Sequence, residues 1–185
     1  MMGLMFARPR KQLGASALYE YAVRALSRKM RTVAELKRLL RQRVAKDMEG
    51  ESAVEAVVRK LKEQRYLNDS QYAATYASYR QGTEKFGRTR VIADLKVKGV
   101  HSEVIEKAVA AAYAGVNEEK LARQHLARKR LRQPANQKEA ARVFRSLARA
   151  GFSSRTIFAI LRKWDVSEET LELMESAATP SAGSE

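Results

Sequence analysis

The sequence contains no cysteine among its 185 residues. Disulfides and thiolate metal sites are therefore excluded, and we expect a protein of a reducing compartment, the cytoplasm. No uninterrupted apolar run is long enough to span a bilayer, so we expect no membrane partner. Histidine is scarce as well. His101 and His125 stand far apart without an HExxH pattern, which predicts no zinc site and no other metal.

Proline is nearly absent, with only three residues in the whole chain. The stretches between the prolines are rich in Ala, Leu, Arg, Lys and Glu, which lose little free energy in a helix. Apolar residues recur at spacings of three and four, as at Leu36, Leu39, Leu40 and Val44, and no period-2 strand pattern stands out. The sequence therefore predicts an all-α fold.

Capping residues and glycine breaks divide the chain into about nine expected helices. Thr32 with Glu35, and Ser52 with Glu55, have capping-box spacing. Further candidate N-caps are Ser16, Ser70, Ser102, Asn117 and Ser153. The expected helices are 16–30, 32–46, 52–65, 69–81, 88–98, 102–114, 117–132, 136–150 and 153–164.

The helices repeat as a group. "LKVKGVHSEVI" (95–105) and "LARAGFSSRTI" (147–157) align, and each has a glycine, Gly99 or Gly151, where a left-handed C′ residue would end a helix. A weaker copy, "LRQRVAKDMEGESAV" (40–54), lacks that glycine and has a longer loop. We therefore predict three tandem three-helix units of helix-turn-helix type, forming an elongated, curved molecule. The expected segments are an N-terminal extension 1–15, repeats 16–67, 68–115 and 116–164, and an acidic, partly disordered C-terminal tail 165–185.

The stretch "GTEKFGRTR" (82–90) comes close to the phosphate-binding pattern G-x-x-x-x-G-K-[ST], but Arg88 replaces its lysine. A working loop of this kind follows a β-strand, whereas the residues before Gly82 have helical spacing. We interpret the stretch as a basic linker made flexible by glycine. With no other catalytic pattern in the chain, we expect no enzymatic activity and no cofactor.

Acidic residues are too few to balance the basic ones: 21 Asp and Glu stand against 36 Lys and Arg, a net charge of +15. Six of the acids lie from Asp165 onward, where there is no Lys or Arg, so residues 1–164 carry +21. Such a one-sided balance favours binding to nucleic acid or to an acidic protein surface. The candidate binding residues are Arg28, Lys29, Arg31, Lys37, Arg38, Arg41, Lys85, Arg88, Arg90, Lys96, Lys98, Arg128, Lys129, Arg130, Arg132, Arg142, Arg145 and Arg149.

Two functions fit a basic, all-α repeat protein. Each unit could read duplex DNA by laying one helix in the major groove, although no copy has a clear cluster of Asn, Gln and Arg on one recognition helix. Alternatively, the tandem units could lie along a filament and bind it through many weak contacts. The repeat favours the filament, and the duplex DNA-binding protein remains the alternative.

Four segments together show a family resemblance: "ALSRKMRTVAELKRLLRQR", "VVRKLKEQRYLNDSQYAATYASYR", "FGRTRVIADLKVKGVHSEVIEKAV" and "LARAGFSSRTIFAIL". Over residues 16–164 the chain resembles the RecX family of bacterial recombination regulators. The resemblance implies a monomer that acts in DNA repair and the SOS response. It would bind the RecA recombinase in the groove of the RecA–DNA filament and inhibit ATPase and strand exchange. The implied partners are this filament and single-stranded DNA, with duplex DNA as a further candidate.

Overall fold

The computed structural model describes residues 12–178, and helices account for all the regular structure in that range. Ten α-helices occur there: α1 (Ala15–Arg28), α2 (Val33–Leu40), α3 (Met48–Glu63), α4 (Asp69–Gly82), α5 (Arg88–Val97), α6 (Ser102–Ala112), α7 (Glu118–Arg128), α8 (Gln137–Arg149), α9 (Ser154–Arg162) and α10 (Glu168–Ala178). A 3₁₀ turn, Arg41–Arg43, follows α2. The all-α prediction is confirmed. Most of the N-terminal extension and the end of the acidic tail lie outside the described residues.

Three of the predicted N-caps are confirmed. Thr32 and Glu35 form a reciprocal capping box, in which Thr32 Oγ1 accepts a hydrogen bond from the Glu35 amide at 3.1 Å and Glu35 Oε2 accepts one from the Thr32 amide at 3.2 Å. Asn117 caps α7 and Ser153 caps α9, each through a side-chain oxygen that accepts a hydrogen bond from the amide three residues later. These side chains satisfy amide groups that have no partner inside their helix.

The capping box predicted at Ser52 is wrong, because α3 begins four residues earlier, at Met48. Asp47 is its N-cap, and the Asp47 carboxylate accepts a hydrogen bond from the Gly50 amide at 2.8 Å. Gly50 does not break the helix. It is buried in the first turn, where a Cβ would overlap the carbonyl oxygen of Ala45. Only glycine fits this close approach without overlap. The free-energy cost of a glycine in a helix is small compared with the cost of that overlap.

Two other helix starts also differ from prediction. α1 follows Gly14 as N-cap and begins at Ala15, so Ser16 lies inside the first turn. At the start of α4, Asn68 Oδ1 accepts a hydrogen bond from the Gln71 amide at 3.0 Å, which is the role expected of Ser70. In both cases a nearby residue with suitable backbone geometry takes the cap position.

The glycine that ends the second helix of a repeat is confirmed at both predicted positions. Gly99 has φ +75° and Gly151 has φ +84°, which is the left-handed region that favours glycine. Each follows the end of its helix, α5 or α8, as a C′ residue does.

The chain divides into two compact units. Unit 1 comprises residues 1–73 and 96–104. Its core is formed by one face each of α1, α2 and α3. The buried side chains of this core are Leu18, Ala22, Leu36, Leu40, Val54, Val57, Val58, Leu61 and Leu67.

Unit 2 comprises residues 74–95 and 105–185, and its core lies mainly between α7, α8 and α9. The unexpected helix α10 adds to this core, because Leu171 and Met174 are three residues apart and both are buried against it. The segment 165–185 was expected to be an acidic, partly disordered tail, and no helix was predicted in it; α10 lies in its described part. The predicted repeat boundaries remain a prediction.

Candidate functional site

The predicted basic residues fall into two sets, one in each unit. Unit 1 contains Arg28, Lys29, Arg31, Lys37, Arg38, Arg41, Lys96 and Lys98. Unit 2 contains Lys85, Arg88, Arg90, Arg128, Lys129, Arg130, Arg132, Arg142, Arg145 and Arg149.

Several of the unit 1 cations already have carboxylate partners. Lys37 Nζ forms an ion pair with Glu55, and the Arg41 guanidinium holds both carboxylate oxygens of Glu51, with Nε at 2.9 Å from Oε2. Both carboxylates belong to α3, so these cations join α2 and the turn after it to α3. They are poor candidates for free binding groups.

Lys98 is also part of the fold. Its ammonium is 3.1 Å from Glu35 Oε1, and its backbone carbonyl accepts a hydrogen bond from the Thr32 hydroxyl at 2.6 Å. Burial alone would raise the pKa of Glu35, but hydrogen bonds from Lys98 and the Thr32 amide outweigh it, and the pKa lies below its usual value. Glu35 is therefore ionised at neutral pH and anchors Lys98 beside α2.

The other unit 1 cations are more accessible. Arg28, Lys29 and Lys96 are exposed, and no described carboxylate lies within 4.0 Å of their charged groups. Arg38 is exposed and donates to the backbone oxygen of Ala34 at 3.3 Å, and Arg31 is partly buried. Arg28, Lys29 and Lys96 are thus free to bind an anion.

In unit 2, Asp94 joins α4 to α5. Its carboxylate accepts hydrogen bonds from Arg80 at 2.6 Å and from the Tyr76 hydroxyl at 2.9 Å, and Arg90 Nε lies 3.0 Å from it. Burial alone would raise the pKa of Asp94. The hydrogen bonds from Arg80 and Tyr76 and the nearby arginine charges outweigh this effect, and the pKa lies below its usual value. Arg80 also pairs with Glu84 in the linker after α4.

The predicted basic linker is held in place at several points. The Tyr113 hydroxyl donates to the carbonyl oxygen of Phe86 at 2.7 Å, and burial raises the pKa of Tyr113 to about 12. The Arg88 guanidinium is 6.0 Å from the Tyr113 ring centre, and Arg128 donates to the carbonyl oxygen of Thr83 at 3.0 Å. A helix, α4, precedes this linker, as the interpretation against a phosphate-binding loop requires.

Four of the unit 2 cations meet at one cavity of about 430 Å³. They come from three parts of the unit: Arg90 from α5, Lys129 from the end of α7, and Arg142 and Arg149 from α8. The remaining members of the unit 2 set, Lys85, Arg88, Arg128, Arg130, Arg132 and Arg145, do not line it.

His125 lines the same cavity and was not predicted as a site residue. The residue is 2% exposed, and its Nδ1 has no hydrogen-bond partner among residues 12–178. Burial and the charges of Lys129 and Arg128 lower its pKa, although backbone hydrogen bonds with the linker oppose the shift. Leu121, Ala122 and Leu126 continue the same buried face of α7, and this spacing could have revealed that His125 is buried.

The described residues contain neither a metal site nor a membrane-spanning helix. Among residues 12–178 there is no group of three or more His, Asp or Glu side chains placed to hold a metal ion. In the same range, no helix has the length and apolar character needed to cross a membrane.

Three sequence relatives and a family match connect the chain to known proteins. Residues 68–109 match the second three-helix domain of RecX. The regulatory protein RecX of Myxococcus xanthus is 39% identical over 160 residues, which cover 79% of this chain and 84% of that protein. RecX of Chromobacterium violaceum is 32% identical over 140 residues, which cover 76% of this chain and 86% of that protein. RecX of Geobacillus thermodenitrificans is 30% identical, but the chain spans about half of its length, 54%.

Two solved structures share the fold. The crystal structure of RecX from Lactobacillus salivarius superposes with a TM-score of 0.62 at 22% identity, covering 82% of this chain and 96% of that one. A second regulatory protein RecX gives a TM-score of 0.66, also at 22% identity, with 80% of this chain and 73% of that one covered. At 22% identity these two structures support the fold alone. Membership of a family is supported by the Myxococcus relative. Given 39% identity across most of a RecX protein, this chain belongs to the RecX family.

Proposed function

We propose that the protein is a non-enzymatic regulator that binds the RecA–DNA filament and inhibits its ATPase and strand exchange. The observation that carries this proposal is the match of residues 68–109 to the second three-helix domain of RecX, together with relatives named as regulatory proteins. The protein would act in the cytoplasm as a monomer and would need no cofactor.

Surface charge supports a polyanionic target. The net charge of +15 attracts DNA and acidic protein surfaces over distance. Exposed cations without a described ion pair occur in both units, among them Arg28, Lys29 and Lys96 in unit 1 and Arg130 and Arg132 in unit 2. An anion could bind these groups without breaking contacts that hold the fold.

The proposed inhibition makes and breaks no covalent bond. Units joined in one chain can engage neighbouring sites on a filament, and their weak contacts then reinforce each other. A filament bound in this way would be hindered in growth, or in the protomer movement that ATP turnover requires.

The test is ATP turnover by the cognate RecA on single-stranded DNA, with this protein added well below one copy per protomer. We expect turnover to fall at these low ratios. Unchanged turnover, alongside tight binding of a defined duplex, would contradict the proposal and favour the helix-turn-helix DNA-binding alternative.

Charge variants test the electrostatic part without damaging the fold. Arg130→Glu with Arg132→Glu reverses two exposed cations that have no described ion pair. Arg59→Glu with Lys62→Glu on α3 is the matched control, because both residues are exposed and lie outside the predicted set. We expect the first pair to raise the concentration needed for half inhibition and the control to change it little. Lys98 and Arg90 are unsuitable here, since their charges pair with Glu35 and Asp94.

A further inference from the structure

The cavity in unit 2 has an unbalanced charge. Arg90, Lys129, Arg142 and Arg149 line it, and no Asp or Glu within residues 12–178 is among its lining residues. Like charges held around one concave space repel each other, and the surrounding protein focuses their field into that space. A volume of about 430 Å³ is in the range of small-ligand sites.

Two of the arginines are already oriented for binding. Arg90 approaches Asp94 through Nε, at 3.0 Å, and Arg149 donates from Nε to the carbonyl oxygen of Arg145 at 3.2 Å. Within the part of the chain that the structure describes, the terminal nitrogens of these two guanidinium groups make no further hydrogen bond. Because each side chain is fixed through Nε, less conformational entropy is lost when the terminal nitrogens bind an anion.

The side chains of α8 supply matched donors on one face. Arg142, Ser146 and Arg149 stand at spacings of four and three, so all three reach the cavity from successive turns. The Ser146 hydroxyl adds a neutral donor between two guanidinium groups. Lys129, at the C-cap of α7, adds a point charge from a second helix.

We propose that this cavity is a binding site for a phosphate group. Several arginine forks, a lysine and a hydroxyl match the three or more oxygens and the charge of a phosphate better than the two oxygens of a single carboxylate. The phosphate could belong to a free polyphosphate, such as a nucleotide, or to the backbone of a nucleic-acid strand. The chemistry of recognition is the same for both sources.

Buried His125 strengthens the assignment. Its Nδ1 has no hydrogen-bond partner among the described residues, and the two charges that lower its pKa, those of Lys129 and Arg128, are both positive. An anion in the cavity would offset those charges and so favour the protonated imidazole. Binding of phosphate should therefore be accompanied by proton uptake.

The experiment compares two double variants of the full chain. Arg142→Gln with Arg149→Gln removes two cavity cations, and Arg59→Gln with Lys62→Gln removes two exposed cations from unit 1. Binding of pyrophosphate is measured by calorimetry, and binding of a labelled oligothymidylate by fluorescence anisotropy, both without recombinase. Polyglutamate serves as the carboxylate probe.

We expect the cavity pair to weaken binding of pyrophosphate, the oligonucleotide or both by about tenfold or more, and the control pair by much less. Loss for pyrophosphate alone identifies a free polyphosphate site. Weaker binding of the oligonucleotide identifies a strand site. In that case the slope of log binding constant against log salt concentration should also be shallower by about 1.4, the value for two lost phosphate contacts. Equal losses in both pairs would overturn the proposal, as would polyglutamate binding that depends equally on the cavity pair.

A third variant guards against misfolding as an explanation. Ser146→Glu places a carboxylate between Arg142 and Arg149, where it can pair with either. We expect it to abolish phosphate binding while leaving the midpoint of thermal unfolding unchanged or higher. Retained binding in this variant would contradict the site. Phosphate binding is measured without RecA and inhibition of RecA is measured separately, so either can fail while the other holds.

Discussion

Gly87 and Gly151 bring two backbone segments of unit 2 into direct contact. The Gly87 amide donates to the carbonyl oxygen of Ala150 at 2.8 Å. A Cβ on Gly87 would overlap the Gly151 carbonyl oxygen, and a Cβ on Gly151 would overlap the backbone nitrogen of Arg90. The start of α5 thus packs against the turn between α8 and α9. This contact, rather than flexibility or a nucleotide, explains the second glycine of "GTEKFGRTR".

Substituting either glycine should destabilise the protein. We expect Gly87→Ala to lower the free energy of unfolding by about 1–3 kcal/mol, because the backbones must move apart. Gly151→Ala should cost at least as much, since its φ of +84° adds strain for any residue with a Cβ. Urea denaturation measures both. Gly82→Ala is the control, because nothing lies within 4 Å of a Cβ there. Equal stability of Gly87→Ala and Gly82→Ala would show that the close contact is absent.

The sequence predicted what depends on local spacing. The Gly99 and Gly151 turns, the Thr32 capping box and the helical periodicity all involve residues within a few positions of one another. The contact between Gly87 and Gly151 joins residues far apart in the chain, so no local pattern could reveal it. α10 was missed because its many acids hid the spacing of Leu171 and Met174, which becomes informative only beside an apolar surface.

The candidate site was predictable in its residue types and not in its arrangement. The basic residues were found by composition, but composition cannot tell that Lys98 pairs with Glu35 while Lys96, two residues away, is exposed. Nor can it gather Arg90, Lys129 and Arg149 around one cavity, since these come from different helices. The helical spacing of His125 could have predicted that it is buried. Its position among cations depends on tertiary packing, which the sequence does not show.

Removing the charge of Asp94 should loosen the junction of α4 and α5. Asp94→Asn removes one of the two described carboxylate partners of the partly buried Arg80 guanidinium and leaves it paired with Glu84, and we expect the free energy of unfolding to fall by about 1–3 kcal/mol at pH 7. Glu106→Gln is the control, because this exposed carboxylate has no described partner. A loss no larger than in Glu106→Gln would contradict the role of Asp94.

The cost of Asp94→Asn should also depend on pH. The pKa of Asp94 is lowered in the folded protein, so its stabilisation is present above the ordinary pKa of an aspartate and disappears as pH falls through the folded value. The difference between wild type and Asp94→Asn should therefore be constant from about pH 5 to 7 and shrink below about pH 4. Urea denaturation across this range checks it, and a difference that grows at low pH would be inconsistent with a lowered pKa.

Thr32 links the start of α2 to the turn after α5 within unit 1. It is fully buried, and its hydroxyl accepts from the Glu35 amide and donates to the Lys98 carbonyl oxygen. Thr32→Val keeps the shape but leaves both groups unpaired, so we expect a loss of about 1–3 kcal/mol in the free energy of unfolding. Thr75→Val, at an exposed position of α4, is the control and should cost much less. Similar losses in the two variants would show that the buried hydroxyl contributes nothing.

His125 should make the stability of the protein depend on pH in a range where few other groups titrate. Its pKa is lowered in the folded state by burial, Lys129 and Arg128, so the unfolded chain takes up a proton first as pH falls below about 6.5. The lowered carboxylate pKa values, such as that of Glu118, act only at more acidic pH. The free energy of unfolding should therefore decline between about pH 6.5 and 5, by at most about 1.4 kcal/mol per pH unit.

Two substitutions separate this contribution from the rest of the chain. His125→Gln should flatten the decline between about pH 6.5 and 5, whatever its effect on stability at pH 7, because the titrating group is gone. His101→Gln should keep the decline, since His101 is exposed. Urea denaturation at several pH values gives the slopes directly. An unchanged slope in His125→Gln would mean that the imidazole takes up its proton equally in the folded and unfolded states. Its burial beside Lys129 would then have no electrostatic consequence.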